Sequence, residues 1–194
     1  MNDLPQSQPA RAVRREALIA AAWGFAEATF FFIVPDVFTS RVVLQSSRRG
    51  LTACVWAVGG ALVGGTLVFA LARGGFGPQL AAGFARLPGI HPALETTAAA
   101  LLAQHGLGAL FLGAASGIPY KLFAVEAARA DTPFVTFALV SAAARLARFL
   151  AVTGLAGTLG SSVFRKCSER TKLAVHAVGW TVFYAGYFWA MRSH

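Results

Sequence analysis

Two carboxylates stand in an otherwise apolar stretch near the start of the chain, residues 25–37, which read FAEATFFFIVPDV. An ionised side chain at the centre of a spanning helix costs roughly 2.5–3.5 kcal/mol on insertion scales, so such residues are usually retained for a function. Glu27 and Asp36 are therefore candidates for chemistry. Pro35 interrupts helical hydrogen bonding just before Asp36, and such a break is tolerated at membrane depth only where protein or a watery cavity covers the freed backbone. The stretch therefore predicts a re-entrant segment that lines a polar pocket.

A second stretch, residues 106–129, has a similar layout with the opposite charge at its break. An apolar arm is interrupted at Gly117 and Pro119, and Lys121 follows two residues after Pro119. Similar broken segments in two halves of a membrane protein point to a site near the bilayer midplane. We therefore expect two re-entrant helical hairpins that face each other.

Two arginines, Arg145 and Arg148, lie inside a third apolar stretch. Residues three apart lie on roughly one face of a helix, so both can point into the same interior. With Lys121 they are the candidate partners of Glu27 and Asp36. Whether these five residues bind substrate and protons, or only form a static charge cluster, is left open by the sequence.

The elements that position these residues are those of a membrane protein. The chain has 194 residues, of which 56% are hydrophobic and 13% charged, and this composition is rare for a soluble domain. We expect an all-α polytopic bundle of one domain, residues 16–192, after a disordered cytoplasmic tail at residues 1–15. The predicted hairpins cover residues 17–40 and 106–130, and the predicted spanning helices cover residues 51–72, 132–164 and 173–191.

The positive charge of the chain has an explanation in membrane topology. The formal net charge is +9, yet ten of the seventeen Lys and Arg residues fall in residues 1–15, 41–50 and 165–172. Cytoplasmic loops carry such an excess of cations, so we expect a cytoplasmic N-terminus. Nucleic-acid binding is not expected, because no basic surface interleaved with aromatic residues is visible.

Metal, cofactor and enzyme chemistry are not expected. Cys54 and Cys167 have neither the spacing nor the setting of a disulfide or metal site, and no nucleophile–His–carboxylate set is visible. His176 is interpreted as a packing residue. The aromatic residues of the last apolar run are typical of a membrane-interface belt.

Small residues recur four apart at Gly60 and Gly64. This spacing lets another helix approach closely. Packing within the monomer is the favoured interpretation, and a homo-oligomer is the alternative.

The two broken stretches together resemble the DedA family, whose domain is also called VTT or SNARE-associated Golgi protein. Its first signature reads F-x-E-S-S-F-F-P-I-P-P-D-V-L, and residues 25–37 match it at the glutamate, the aspartate and the last proline. Phe32 and Val34 stand where the family has its two earlier prolines. The second signature is matched by Ile118-Pro119-Tyr120-Lys121-Leu122-Phe123, and a later arginine pair by Ala144-Arg145-Leu146-Ala147-Arg148-Phe149.

The resemblance implies a membrane lipid transporter of the flippase or scramblase kind. Members of the family are thought to move a lipid phosphate, either polyprenyl phosphate or phospholipid, with protons as a candidate coupling ion. The partners implied are membrane lipids. The alternatives are a proton-coupled transporter of ions or small solutes, and a membrane assembly protein that transports nothing.

Overall fold

The computed structural model describes residues 7–191, and the side chains of residues 11–189. Over this range the chain folds into helices and short connections, and no strand occurs among the described residues. The helices are α1 (Ser7–Thr29), α2 (Asp36–Val43), α3 (Ser47–Leu71), α4 (Gly77–Phe84), α5 (Pro92–His105), α6 (Ala109–Ser116), α7 (Tyr120–Arg129), α8 (Phe134–Ser161) and α9 (Glu169–Met191). The predicted all-α class is confirmed.

Three helical stretches are long and apolar enough to cross a bilayer, namely Ser47–Phe84, Pro92–Ser116 and Phe134–Ser161. They support the prediction of a membrane protein. Two of them contain or overlap the predicted spans at residues 51–72 and 132–164.

The third stretch differs from the prediction. Residues 92–105 lie outside every predicted span and hairpin, but they continue through a short 3₁₀ turn at Gly106–Gly108 into α6 and form one long apolar arm. The predicted span at residues 173–191 does lie within α9. However, α9 is not among the three apolar stretches, because its Trp, Tyr, His and Gly residues lower its mean hydropathy.

The predicted disordered tail is wrong for its second half. Helix α1 begins at Ser7, so residues 7–15 are helical, while residues 1–6 lie outside the described range. Good helix formers, Ala and Arg, dominate this segment and extend α1 toward the N-terminus.

Close packing of α1 against α3 depends on glycines. A Cβ on Gly60 would lie 1.8 Å from the carbonyl oxygen of Ala21, and one on Gly24 would lie 2.1 Å from that of Ala57. A Cβ on Gly64 would lie 2.8 Å from the carbonyl oxygen of Phe25. The small residues thus serve helix packing within the chain, as expected.

The charged site lies where two apolar clusters meet. One cluster is built largely from α3, α5, α6 and α7 and includes Ala144 of α8. The other is built from α1, α2 and α3 and includes Phe149 of α8. Because Arg145 and Arg148 follow Ala144 on the same helix, α8 carries both arginines into the junction between the clusters.

Candidate functional site

Two helix breaks organise the site. The first, residues 30–35, separates α1 from α2, and Pro35 directly precedes α2. The second, residues 117–119, separates α6 from α7; Gly117 ends α6 with a φ of 81°, and Pro119 precedes α7. Glycine adopts this left-handed conformation without strain, and proline lacks the N–H that would continue the helix. The breaks thus occur at the residues from which the sequence predicted them.

Lys121, which lies in α7 just after the second break, contacts the first break. Its Nζ donates a hydrogen bond of 2.6 Å to the carbonyl oxygen of Phe31 in the first break. We expected Lys121 to meet a carboxylate, but among the described residues it bonds to this carbonyl rather than to Glu27 or Asp36. The interrupted helix leaves carbonyl groups without intrahelical donors, and these are strong acceptors when buried.

Glu27 forms an enclosed ion pair with Arg145. Both side chains are almost fully buried, with 5% and 3% of their surface exposed. The Arg145 guanidinium carbon also lies 4.7 Å from the ring centroid of Tyr120 and 5.1 Å from that of Phe149. Arginine is favourable over aromatic faces, so the rings and the carboxylate together hold this cation.

Asp36 pairs with Arg148 at 2.9 Å between Oδ2 and Nη2. The carboxylate is fully buried, but 19% of the Arg148 side chain is exposed. Asp36 is the first residue of α2, where the positive end of the helix dipole favours a negative charge. The structure thus pairs each predicted carboxylate with one of the two predicted arginines.

A large cavity of about 900 Å³ opens beside these groups. Four of the five predicted site residues line it, namely Glu27, Asp36, Lys121 and Arg148. Arg145 does not, since it lies behind Glu27 against a much smaller void. Most of the remaining lining is apolar, with aromatic side chains from the first break, α6 and α9, such as Phe31, Phe111 and Phe183.

Helix α9 supplies functional candidates that the sequence interpretation missed. His176, Trp180, Tyr184 and Tyr187 all line the cavity. The Nε2 of His176 lies 2.8 Å from the hydroxyl of Ser40, and the Trp180 indole donates to the same hydroxyl at 3.2 Å. These four residues are spaced four, four and three apart, which places them on one helix face. This spacing is visible in the sequence and could have predicted that they line a common surface.

Buried hydroxyl groups connect α2 to α8 next to Asp36. The Thr153 hydroxyl donates to that of Thr39 at 2.8 Å, and the thiol of Cys54 donates to Thr153 at 3.3 Å. The Ser40 hydroxyl bonds back to the Asp36 carbonyl oxygen. This polar chain satisfies groups that would be costly to bury alone.

Within residues 7–191 there is no group of three or more His, Cys, Asp or Glu side chains that could hold a metal ion. The site therefore consists of two ion pairs, one lysine and an apolar cavity. Such a set can bind an anionic head group beside a hydrocarbon chain.

Two bacterial proteins are similar to this chain. An uncharacterized protein of Haemophilus influenzae is 27% identical over 158 residues, which are 81% of this chain and 79% of that protein. An uncharacterized protein of Histophilus somni is 33% identical over 86 residues, which are 44% of this chain and 43% of that protein.

No family model matches the chain, and no solved structure matches it. The likeness to the DedA family thus remains a prediction from the motifs.

Proposed function

We propose that this chain is a membrane transporter that moves a lipid phosphate across the bilayer, as its resemblance to the DedA family implies. The observation that carries the proposal is the position of two cations, Lys121 and Arg148, on the wall of a large and mostly apolar cavity. A phosphate head group would bind the cations, and the hydrocarbon chain would lie along the apolar wall.

The charge balance of the site favours an anion. Three cations, Lys121, Arg145 and Arg148, face two carboxylates, and each carboxylate already pairs with an arginine. Among the residues that the structure describes, the hydrogen-bond acceptor of Lys121 is a neutral carbonyl. A buried cation without a counter-ion is unfavourable, so the arrival of a phosphate near Lys121 would stabilise the site.

The helix that carries Lys121 adds to this preference. Lys121 is the second residue of α7, and the N-terminus of a helix carries a partial positive charge. A lysine at this end is unfavourable by itself. A phosphate between the lysine and the helix N-terminus would remove the conflict, because both would then face a negative charge.

The cavity has the size and lining for a lipid. Ligand pockets generally measure about 300–1,000 Å³ and combine apolar walls with a few polar groups; the volume of about 900 Å³ falls in this range. Phe31, Phe32, Phe111, Trp180 and Phe183 provide much of its apolar surface.

The proposed architecture places both breaks at membrane depth. The segments at residues 17–40 and 106–130 would form the two facing re-entrant hairpins, with the arm before the second break extended to Pro92. Helix α9 would complete the bundle, since its 23 residues would extend about 35 Å at 1.5 Å per residue. The basic connections would lie in the cytoplasm of a bacterial cell.

Lipid translocation in proteoliposomes tests the proposal. The protein is reconstituted with a fluorescent lipid phosphate, and the accessibility of the label to an external quencher is followed over time. We expect wild-type protein to accelerate translocation and Lys121→Ala to reduce it at least about tenfold, because the phosphate loses its cation.

Arg73→Ala is the matched control, because Arg73 lies in an exposed ion pair with Asp131 away from the cavity and should leave the rate unchanged. Absence of translocation by wild-type protein, or an undiminished rate in Lys121→Ala, would contradict the proposal.

Proton coupling is the part of the proposal that Asp36 supports, because this carboxylate lines the cavity and pairs with Arg148, which also lines it. A phosphate that binds Arg148 would free Asp36 to accept a proton. A proton gradient across the liposome should then change the translocation rate in wild-type protein but not in Asp36→Asn. Proton-coupled flux of a small solute without any lipid phosphate would instead support the alternative transporter.

A further inference from the structure

Side chains from three different helices hold the backbone of the first break. The Trp23 indole of α1 donates to the carbonyl oxygen of Ile33 at 2.9 Å, and Lys121 of α7 donates to that of Phe31. The hydroxyl of Tyr184 in α9 accepts the N–H of Val34 at 2.9 Å. Among these three, only Tyr184 satisfies a backbone donor.

The N–H of Val34 needs a partner from outside its own segment. Val34 precedes Pro35, and a residue before proline is restricted to extended conformations. Its N–H also cannot join the hydrogen-bond ladder of α2, which begins at Asp36, because a helical N–H bonds to the carbonyl four residues earlier. Leaving an N–H unpaired away from water destabilises a structure by about 1–3 kcal/mol, and the Tyr184 hydroxyl provides a partner for this part-buried N–H.

The hydrogen bond between Val34 and Tyr184 also helps to position α9. Every described side chain of α9, from residue 169 to 189, is at least partly exposed, so the helix gains little from burial. Its specific polar contacts with the rest of the chain include Tyr184 with Val34, Tyr187 with Gly89, and His176 and Trp180 with Ser40. Tyr184 thus joins the weakly packed wall of the cavity to the break that shapes the site.

We propose that Tyr184 is a positioning residue, whose hydroxyl holds the Val34 amide and thereby fixes the first break. The fixed break keeps the Phe31 carbonyl where it receives Lys121, and keeps Asp36 where it pairs with Arg148. Tyr184 acts on the cations through the backbone and needs no contact with the substrate. The transport consequence rests on the proposed function, whereas the consequence for the backbone does not.

Tyr184→Phe tests the inference, because it removes only the hydroxyl group. We expect hydrogen–deuterium exchange of the amides in residues 30–38 to accelerate at least about fivefold, since an unpaired N–H lowers the free energy of opening. Exchange in the core of α3 should stay the same. Lipid-phosphate translocation should fall several-fold.

Tyr187→Phe is the matched control on the same helix. It loses a hydrogen bond of similar length, 3.0 Å to the carbonyl oxygen of Gly89, outside the first break. We expect exchange in residues 30–38 to remain at the wild-type rate. Equal acceleration in both variants would overturn the proposal, because it would show that any weakening of α9 loosens the break.

The variant Val34→Pro provides a second, independent test of the inference. Proline has no N–H, and its φ suits the extended conformation that precedes Pro35. In the Val34→Pro background, Tyr184→Phe should have little further effect on exchange or translocation, because residue 34 no longer has an N–H that could lose its hydrogen-bond partner. An equally large effect of Tyr184→Phe in wild type and in Val34→Pro would overturn the proposal. If Val34→Pro does not fold, the exchange comparison of Tyr184→Phe with Tyr187→Phe decides alone.

Failure of this inference is distinguishable from failure of the proposed function. If wild-type protein moves no lipid phosphate but Tyr184→Phe alone accelerates exchange of the first break, the positioning role holds and the transport proposal fails. If wild-type protein moves lipid phosphate and Tyr184→Phe leaves both exchange and the translocation rate unchanged, the transport proposal holds and the positioning role fails.

Discussion

The two ion pairs join the same two parts of the chain, yet their surroundings differ. Each links the first broken segment to α8, and the two arginines lie one helical turn apart. Arg145 is 3% exposed and lies between two aromatic rings, whereas Arg148 is 19% exposed and lines the large cavity. A ligand can therefore reach Arg148 but not Arg145.

Their carboxylates also differ in position along a helix. Glu27 lies in the last turn of α1, where the negative end of the dipole disfavours another negative charge, and Asp36 lies at the first position of α2, where the dipole favours it. Glu27 therefore depends more on its arginine than Asp36 does. We therefore expect the Glu27–Arg145 pair to stabilise the fold and, under the proposed function, the Asp36–Arg148 pair to exchange its partner for a phosphate.

The largest expected effect is loss of stability in Arg145→Gln. The substitution leaves Glu27 buried without a counter-ion, and breaking a buried pair in this way costs about 3–5 kcal/mol. Thermal unfolding in detergent should show a large decrease in Tm. The double variant Glu27→Gln with Arg145→Gln should recover most of it, and an unchanged Tm in the single variant would contradict the structural role of this pair.

The second prediction concerns ligand-induced stabilisation through Arg148. A lipid phosphate at about 100 times its Kd should stabilise wild-type protein by about 2.7 kcal/mol, which raises Tm by about 5–10 °C. Arg148→Gln should lose most of this increase, because the cation that the phosphate would bind is gone. The same increase in Arg148→Gln and wild type would show that the phosphate binds elsewhere.

A third, smaller effect is the change in intrinsic stability of Arg148→Gln without lipid. In this variant the Asp36 carboxylate still interacts with the positive end of the α2 helix dipole, and such an interaction is worth up to about 2 kcal/mol in partly buried geometries. We therefore expect a loss of about 1–2 kcal/mol, well below that of Arg145→Gln under the same conditions. A loss as large as that of Arg145→Gln would remove the distinction between the pairs.

The smallest effect is expected for Thr153→Val. The change removes the hydroxyl that donates to Thr39 near Asp36, and a neutral hydrogen bond contributes about 1 kcal/mol. Tm should decrease slightly and translocation should slow less than in Arg148→Gln. Thr158→Val is the control, since its hydroxyl bonds to its own helix at an exposed position.

The sequence was sufficient to find the charged residues and the breaks. Ionisable side chains inside apolar stretches are rare, so Glu27, Asp36, Lys121, Arg145 and Arg148 stood out. The prolines and glycine marked the helix interruptions by the conformations they permit. Long uncharged runs likewise located two of the three apolar spans.

The pairing within the site could not be predicted from the sequence. Arg145 and Arg148 share a helix face, so only the three-dimensional packing assigns one to Glu27 and the other to Asp36. The acceptor for Lys121 is a backbone carbonyl, and backbone acceptors have no signature in the sequence. Tyr184 was missed because an aromatic residue near the end of a predicted spanning helix is equally typical of an interface belt.

The central claim is that the cavity-facing pair serves transport and the enclosed pair serves the fold. Translocation of lipid phosphate by two neutralised double variants tests it most directly. Glu27→Gln with Arg145→Gln should retain at least about half of the wild-type rate, because a neutral pair restores the fold. Asp36→Asn with Arg148→Gln should fold but fall to the rate of empty liposomes, and equal rates in the two folded double variants would contradict the claim.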